Sequence, residues 1–471
     1  MPHYWVPNSS KEILKYLINE LNIENIDELF RDIPNELRVK NNVNVGFGKP
    51  LTEYEVKRLF YRIVSKNRVY KDPPPFLGGG FCYHHVPSVV KYIIERGEFL
   101  TSYTPYQAEI NQGVLQALFE FQSLIAELYD VDVVNASMYN GSTAVAEAIR
   151  MALRVKKGRS KVVVLGDSHP EVIETVRTWV STLGIKVITP KFRIDKGFVD
   201  SEELKNLVDR EVAAVYFEYP NFFGVVSNEI KDYVEIAHEA GALAIAYSNP
   251  IALPILKPPG SFGVDIAVGD VQPLGIGLNF GGPTAGFIGI PYRRELLRQL
   301  PGRLVGATLT EDGKEIGYTL ILQTREQHIR RERATSNITT NSALMAIAAA
   351  IYMSLLGRKG LRKLAEAIAG RTEYLISRLS KVPNLNVPAV GSRDSILFRE
   401  LTVGVTRGSI AKLREYLRSK GYAIGPELSR FYRDSEPKLS NCSLVCVTEA
   451  HSKEDIDGLI NSIKEFLSKG G

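Results

Sequence analysis

The sequence has 471 residues, of which 44% are hydrophobic and 24% are charged, and its net charge is +5. This length exceeds what one compact core accommodates, so we expect two or three domains of a globular protein. The positive charge is small and spread along the chain, which argues against a nucleic-acid partner and favours the basic surface of an enzyme.

The three cysteines, Cys82, Cys442 and Cys446, form neither an even disulfide framework nor a metal-binding spacing. Such cysteine usage is typical of a reducing compartment, so we expect a cytoplasmic protein without a metal site. The N-terminal stretch has no basic segment followed by an apolar run, which argues against a signal peptide. The apolar run over residues 343–356 is shorter than the ~20 residues of a membrane span, and we expect a buried helix there.

The first 90 residues combine helical patterns with one irregular stretch. The capping-box pattern Ser9-x-x-Glu12 predicts a helix over residues 9–31, and a second helix is expected over 51–66. Residues 71–87, KDPPPFLGGGFCYHHVP, contain consecutive prolines and then consecutive glycines, which predicts a loop. His84 and His85 near its end are candidates to face a site.

From about residue 115, apolar strands alternate with helical patterns. Strands are predicted at 162–166, 212–219, 242–247 and 265–269, with helices at 142–155, 170–182, 201–208 and 229–240. Continuous apolar strands separated by crossover helices predict a mainly parallel sheet covered on both faces. Ligands of such sheets bind at the carboxyl ends of the strands.

The C-terminal part predicts a smaller α+β domain. Its pattern indicates a helix over 361–380, strands within SILFRE and LTVGV (395–405) and at 444–449, and a last helix that begins at Ser452-x-x-Asp455. We therefore expect an N-terminal helical extension and loop over 1–90, a large α/β domain over 91–357, and an α+β domain over 358–471.

This domain order is typical of pyridoxal-phosphate enzymes of the aspartate-aminotransferase class. Their site combines a helix N-terminus that holds the phosphate, a ring that stacks on the cofactor, an acid at a strand end and a Schiff-base lysine. Gly141-Ser142-Thr143 fits the phosphate position, with an ordinary helix cap as an equally weighted alternative. His169 fits the stacking position, although a loop histidine without a ligand is the commoner case.

The acid and the lysine are missing from the pattern. The strand over 242–247 is followed by Asn249, whose amide cannot supply the negative charge that holds a pyridinium. The glycine-rich stretch VGDVQPLGIGLNFGGPTAGFIGI, residues 268–290, contains Gln272 and no lysine, and no lysine lies between Lys257 and Lys314. The expected fold is therefore aspartate-aminotransferase-like with its cofactor lysine absent.

Two polar segments are candidates for contacts at a site. TSYTPYQAEINQG, residues 101–113, is either a surface turn or a contact set. TREQHIRRERATSN, residues 324–337, is either a solvated helix face or an arginine cluster for a carboxylate, a phosphate or a partner surface.

Several long motifs resemble the glycine cleavage system P-protein in its two-subunit form, and specifically its first subunit. They are YWVPNSSKEI, DELFRDIP, FLGGGFCYHHVP, TSYTPYQAEINQG, MYNGSTAVAEA, ILKPPG, GDVQPLGIGLNFGGPTAGF and TREQHIRRERATSNITTN, spread over residues 4–341. The C-terminal third agrees only in general pattern.

The resemblance implies an oxidoreductase of glycine catabolism. A P-protein decarboxylates glycine on pyridoxal phosphate and transfers the aminomethyl group to the lipoyl arm of the H-protein. In the two-subunit form the resemblance places the cofactor lysine on the second subunit, and the pair forms a dimer of heterodimers. This chain is then expected to complete the active site and to be inactive alone.

The residues expected to complete the site, and those expected to be vestiges of a cofactor site, follow from these motifs. The completing residues are Tyr103, Tyr106, Gln107, Glu109, His84, His85, Arg330 and Arg331; the vestigial ones are Gly141, Ser142, Thr143, His169, Asn249 and Gln272. Two alternatives stay open: a self-sufficient pyridoxal lyase or aminotransferase that uses Lys257 or Lys314, and a non-enzymatic module that docks the lipoyl carrier.

Overall fold

The computed structural model describes residues 5–39, 46–47, 49–338, 341–432 and 435–470. Tyr4 of the first motif, and Thr339 and Thr340 of the arginine-rich motif, lie outside the described residues. The chain divides into two compact units, Met1–Val69 and Tyr70–Gly471. The three predicted domains, with boundaries after residues 90 and 357, stay predictions.

The first unit contains the helices α1 (Lys11–Glu20) and α2 (Glu53–Val64). The predicted helix over 9–31 was wrong at both ends. Ser10, not Ser9, caps α1 by accepting the N–H of Ile13, and left-handed Asn22 (φ 50°) follows the end of the helix. The second predicted helix is confirmed, and Thr52 and Glu55 form a reciprocal capping box at its start.

The helices of the second unit include those over 141–155, 170–180, 201–207, 230–239, 343–379 and 453–468, which lie close to predicted segments, and others without a predicted counterpart. In chain order the helices are α3 (Ser88–Ile94), α4 (Gly97–Leu100), α5 (Gln112–Tyr129), α6 (Gly141–Val155), α7 (Pro170–Val180), α8 (Ser201–Leu207), α9 (Ile230–Glu239), α10 (Arg294–Leu297), α11 (Ala343–Leu379), α12 (Ile410–Ser419), α13 (Ser429–Tyr432) and α14 (Lys453–Ser468). Short 3₁₀ turns connect several of them.

The strands of the second unit confirm the predicted alternation. They are β1 (Phe76–Leu77), β2 (Val133–Val134), β3 (Lys161–Val164), β4 (Lys186–Ile188), β5 (Val212–Tyr219), β6 (Leu243–Ser248), β7 (Ile266–Asp270), β8 (Gly286–Ile290), β9 (Val305–Leu309), β10 (Ile316–Leu320), β11 (Leu385–Asn386), β12 (Glu400–Val405), β13 (Ile424–Gly425) and β14 (Cys442–Cys446).

The central sheet has the order β2-β8-β7-β6-β5-β3-β4 within the described residues. Neighbours from β7 to β4 pair in parallel, while β8 is antiparallel to both β7 and β2. Every residue of β5 and β7 is buried, because helices cover both faces of the sheet. The carboxyl ends of β3, β5, β6 and β7 therefore meet at one edge.

Helix α11 unites two segments that the sequence predicted separately. Gly357, at φ 58°, interrupts its regular geometry between those segments. The helix is long and apolar enough to pass a membrane-span criterion. Ala346–Ala350, Tyr352 and Met353 are nevertheless buried in the main core, which confirms the expected buried helix.

A smaller antiparallel sheet joins β11, β12 and β14. The predicted strand in SILFRE was wrong except at its last residue, because β12 begins at Glu400. In the predicted loop 71–87, β1 pairs with β13, and Cys82 forms a disulfide with Cys446 on β14. The expectation of no disulfide was thus wrong, since folding joins cysteines that lie 364 residues apart.

Candidate functional site

A cavity of about 130 Å³ opens at the carboxyl ends of the parallel strands, within the second unit. The start of α6 and the turns after β3, β5, β6 and β7 form one side, and the Gly79-Gly80 loop and residues 398–400 close the other. Its polar lining consists of Ser142, His169, Glu171, Glu218, Asn221, Asn249, Asp270, Arg399 and Glu400. The structure therefore brings Gly141, Ser142, His169 and Asn249 together, as the fold prediction requires.

The N-terminus of α6 already carries an acidic partner. The Gly141 N–H donates to the Oδ2 atom of Asp270 at 2.7 Å, and the Thr143 N–H donates to Asn140 Oδ1 at 2.9 Å. Asp270 ends β7 and is 3% exposed. Burial raises the pKa of Asp270, and the hydrogen bonds from Thr284, Gln272 and Gly141 oppose that shift.

Glu218 places a second buried carboxyl group in the cavity, near the end of β5. Its Oε1 atom accepts the His169 N–H and the Tyr216 hydroxyl, each at 2.9 Å. Burial raises the pKa of Glu218 to about 8, so this group is largely protonated at neutral pH. Behind it, burial raises the pKa of Asp167 to about 6.

His169 is fixed against the glycine loop. Its Nδ1 atom accepts the Glu171 N–H at 3.1 Å, so Nε2 carries the proton and donates to the Gly79 carbonyl at 2.9 Å. A Cβ atom on Gly80 would lie 3.1 Å from His169 Cδ2. The imidazole that the sequence predicted to stack on a cofactor thus packs on the protein's own backbone.

Arg399 is the cationic group among the described residues of the cavity lining, and its N–H groups already donate to protein acceptors. It donates to the Gly80 carbonyl at 2.8 Å and to Glu400 Oε2 at 3.2 Å, while Glu400 Oε1 accepts the N–H groups of Gly79 and Gly80. Next to it, buried His84 bonds Glu449 at 2.9 Å. Burial lowers the pKa of His84, opposed by Glu449.

His85 and Gln272 also serve the surrounding structure. The His85 N–H donates to Glu449 Oε1 at 2.7 Å, and its side chain is exposed. Gln272 is buried and donates to the carbonyls of Cys82 and Ile276. The histidine pair therefore lies beside the Cys82–Cys446 disulfide, and Gln272 supports the loop that this bond holds.

The described lining of the cavity contains no lysine. Lys257 lies 4.6 Å from the Phe262 ring centroid on an exposed turn, and Lys314 is exposed beside Asp312. The phosphate position holds a carboxylate, and four carboxyl groups face one guanidinium. This lining does not fit pyridoxal phosphate.

A second group of residues lies at the surface around Tyr106. The side chains of Tyr103, Tyr106, Gln107 and Glu109 are exposed. Arg303, 1% exposed, donates to the Tyr106 hydroxyl at 2.6 Å, and its guanidinium lies 4.7 Å from the Tyr106 ring centroid. A buried cation therefore orients an exposed phenol.

The arginine-rich segment completes this second group and is not a continuous helix face. Arg325 and Glu326 are buried, and Glu326 forms an ion pair with Arg303. The His328 ring packs edge-on against Tyr106 at 5.1 Å. Arg330 and Arg331 are exposed in and beside the 3₁₀ turn Arg331–Arg333, so the segment presents cations to the surface a few residues beyond His328.

Sequence reasoning missed Asp270, Glu218, Arg303 and Arg399. Glu218 had a readable signal, because it is the lone charged residue in the apolar strand VAAVYFEY. Asp270 lies within the glycine-rich stretch 268–290, where nothing local marks it as a partner of Gly141. Arg303 lies 197 residues from Tyr106, so no local pattern could pair them.

Comparison with known proteins places this geometry among glycine-metabolising enzymes. The sequence model of the glycine cleavage system P-protein matches residues 3–463. The chain is similar to the probable glycine dehydrogenase (decarboxylating) subunit 1 of Staphylothermus marinus, at 44% identity with 99% of each chain covered. It is also similar to the protein of that name in Aeropyrum pernix, at 45% identity with 99% of this chain and all of the relative covered.

Solved structures confirm the predicted aspartate-aminotransferase-like pyridoxal-phosphate fold. A crystal structure of glycine decarboxylase (P-protein) of the glycine cleavage system, in inhibitor-bound form, matches with a TM-score of 0.85 and 37% identity over 99% of both chains. A sphingosine-1-phosphate lyase of Burkholderia pseudomallei matches in fold alone, with a TM-score of 0.64 and 13% identity over 92% of this chain and 94% of the lyase.

Proposed function

The chain belongs to the glycine cleavage system P-protein family, and from that premise we propose that it is the cofactor-free half of a two-chain glycine decarboxylase. The partner chain carries pyridoxal phosphate through its own lysine. Together the two chains decarboxylate glycine and transfer the aminomethyl group to the lipoyl arm of a carrier, the H-protein. This chain completes the partner's active site and is inactive alone.

The observation that carries the proposal is the composition of the strand-end cavity. Its described lining lacks a lysine, and the carboxylate of Asp270 accepts the first N–H of α6. A Schiff base requires an amine that the lining does not offer. The same cavity argues against a self-sufficient pyridoxal enzyme, because Lys257 and Lys314 lie outside the lining.

The contribution of this chain is proposed to come from the group around Tyr106. Because the Arg303 guanidinium donates to the phenolic oxygen, the hydroxyl proton is directed away from Arg303 toward an acceptor. An acceptor such as the glycine carboxylate or its departing CO₂ matches that direction. Tyr103, Gln107 and Glu109 lie beside it in the chain and cover the partner's cavity against water.

The association with a second chain is supported by the first unit. Trp5, Leu37 and Tyr61 are 76%, 71% and 81% exposed there, and large exposed apolar side chains are available for burial against a partner. We propose a dimer of heterodimers in the cytoplasm, without a nucleic-acid or membrane partner. Disulfides occur in intracellular proteins of hyperthermophilic archaea, so the Cys82–Cys446 bond is compatible with this location.

The exchange of the glycine carboxyl group with labelled bicarbonate tests the proposal. Each purified chain alone is expected to give background exchange, and the mixture is expected to give full exchange. Full exchange by the partner alone would leave this chain as a docking module for the lipoyl carrier. Exchange by this chain alone, lost in Lys257→Ala or Lys314→Ala, would establish a self-sufficient enzyme instead.

A further inference from the structure

The first turn of α6 resembles an anion-binding site, but its anion is a side chain of the protein itself. The first N–H groups of a helix have no acceptor within the helix and attract negative charge. Here Asp270 Oδ2 accepts the Gly141 N–H at 2.7 Å. Asp270 Oδ1 accepts the Thr284 hydroxyl at 2.6 Å and the Gln272 N–H at 2.8 Å. Hydrogen bonds donated to both oxygens favour the carboxylate form and oppose the burial that raises the pKa of Asp270.

Packing is tight on the side of Gly141 that faces Asp270 and Tyr247. A Cβ atom on Gly141 would lie 3.0 Å from both Asp270 Cβ and Tyr247 Cε2. The Thr143 N–H, another donor of this first turn, already donates to the side chain of Asn140. A phosphate that took the Gly141 N–H would therefore have to displace the Asp270 side chain.

The charges around the cavity oppose such a displacement. Glu400 shares the lining with Asp270, and Arg399 is bonded to Glu400 and to the Gly80 carbonyl. A phosphate would add one or two negative charges to a low-dielectric cavity whose cation is already paired, which raises its free energy.

We propose that Asp270 is a built-in anion that occupies the phosphate position of the fold, so that this chain excludes pyridoxal phosphate and other phosphate esters from its own cavity. The inference rests on the proposed function and deepens it. A missing lysine prevents only a covalent link, whereas Asp270 also prevents non-covalent binding. All of the cofactor is then left to the partner chain.

Calorimetric titration of the purified full-length chain tests this proposal. The probes are inorganic phosphate and pyridoxine 5′-phosphate, which lacks a reactive aldehyde, with pyridoxine as the phosphate-free control. The wild-type chain is expected to bind none of them at millimolar concentration. Asp270→Ala is expected to bind both phosphates at least tenfold more tightly than the wild type does, and pyridoxine no better.

Asp270→Asn is the matched control, because its amide oxygen still accepts the Gly141 N–H and fills the same volume. If Asp270→Asn binds phosphate no better than the wild type and Asp270→Ala binds it more tightly, the space that the side chain occupies, and not its charge alone, excludes the phosphate. A gain in Asp270→Asn equal to that of Asp270→Ala would overturn occupancy. If Asp270→Ala fails to fold by circular dichroism, Asp270→Ser leaves similar space and retains one acceptor.

Two results would overturn the proposal as a whole. One is phosphate binding by the wild-type chain, and the other is a folded Asp270→Ala or Asp270→Ser variant that binds phosphate no better than the wild type. Phosphorus analysis of the reconstituted pair gives an independent readout, with one cofactor phosphate expected per pair. Two phosphates per pair would refute the inference even if glycine exchange still required both chains.

Discussion

At the scale of single residues, the pair Arg303–Tyr106 shows how a buried side chain positions an exposed one. Arg303 is one of the largest fully buried side chains, and Glu326 neutralises it. A planar guanidinium donates in fixed directions, whereas a lysine ammonium is a mobile point charge. Arg303 is therefore a positioning residue, since it acts on the reaction only through the orientation of Tyr106.

We expect Tyr106→Phe to lower glycine–bicarbonate exchange of the reconstituted pair about tenfold, equivalent to ~1.4 kcal/mol of transition-state stabilisation. The loss should appear in kcat and leave assembly of the pair unchanged by gel filtration. Tyr292→Phe, another exposed tyrosine, is the control that should retain full exchange. Unchanged exchange in Tyr106→Phe would return the residue to a structural role.

Arg303→Lys should lower exchange by a similar factor while the side chain keeps its charge opposite Glu326. If Arg303 acts through Tyr106, the double variant Arg303→Lys/Tyr106→Phe should be no slower than the slower single variant. Multiplicative losses in the double variant would show that the two residues act independently.

Glu218 gives a pH-dependent prediction for stability. Its pKa rises from 4.5 to about 8 on folding, mainly through burial, so the folded state retains a proton that the unfolded state releases. The stability that this proton contributes is complete below pH 4.5 and is lost as pH rises to about 8. The melting temperature of Glu218→Gln, which cannot titrate at this position, should therefore rise relative to that of the wild type across that range. At pH 8 the relative gain should be on the order of a few °C. A difference independent of pH would contradict the assignment.

At the scale of elements, the Cys82–Cys446 bond fastens the glycine loop to β14. This loop presents Gly79 and Gly80 to the cavity and holds His169 and Arg399 through its carbonyls. Its sequence resists regular structure, so the loop depends on covalent and tertiary contacts for its position. The disulfide is thus an attachment between the site and the smaller sheet.

Reduction is expected to weaken the fold. Closing a long loop in the unfolded chain contributes about 2–5 kcal/mol, so Cys82→Ser/Cys446→Ser should melt lower than the wild type and become insensitive to reductant. Thiol titration in denaturant should find one free thiol without reductant, that of Cys442, and three after reduction. Three thiols without reductant would show that the bond is absent in solution.

The sequence predicted the elements better than their long-range contacts. The strands over 212–219 and 242–247 were legible because a buried parallel strand is apolar throughout. The contacts of Asp270 with Gly141, of Arg303 with Tyr106 and of Cys82 with Cys446 span 129 to 364 residues. Periodicity reports only local geometry, so these contacts could not be predicted from it.

At the scale of the whole molecule, the buried core clusters of the described residues lie in the second unit. The core clusters contain residues from Phe76 to Ile463, while the described residues of α1 and α2 include no buried side chain. Because burial of apolar area supplies most of the stability, the first unit contributes little to the folding of the second. Its exposed apolar side chains are better explained by association.

A chain that lacks residues 1–69 should therefore fold with nearly the wild-type melting temperature but pair poorly with the second subunit. Circular dichroism checks the fold, and gel filtration of the mixture checks the pairing. Leu37→Asp is a milder variant in the full-length chain with the same expected loss of pairing. Normal pairing by both variants would place the partner surface elsewhere.

The exposed stretch 278–283 lies in the sequence between Cys82 and Cys446, the two residues that the disulfide joins. Phe280 protrudes fully into solvent there, which makes this stretch an accessible substrate for chymotrypsin. A single cut at that point leaves two fragments that remain tied together through Cys82 and Cys446. The nicked protein should therefore migrate as one band in a denaturing gel without reductant and as two bands with it.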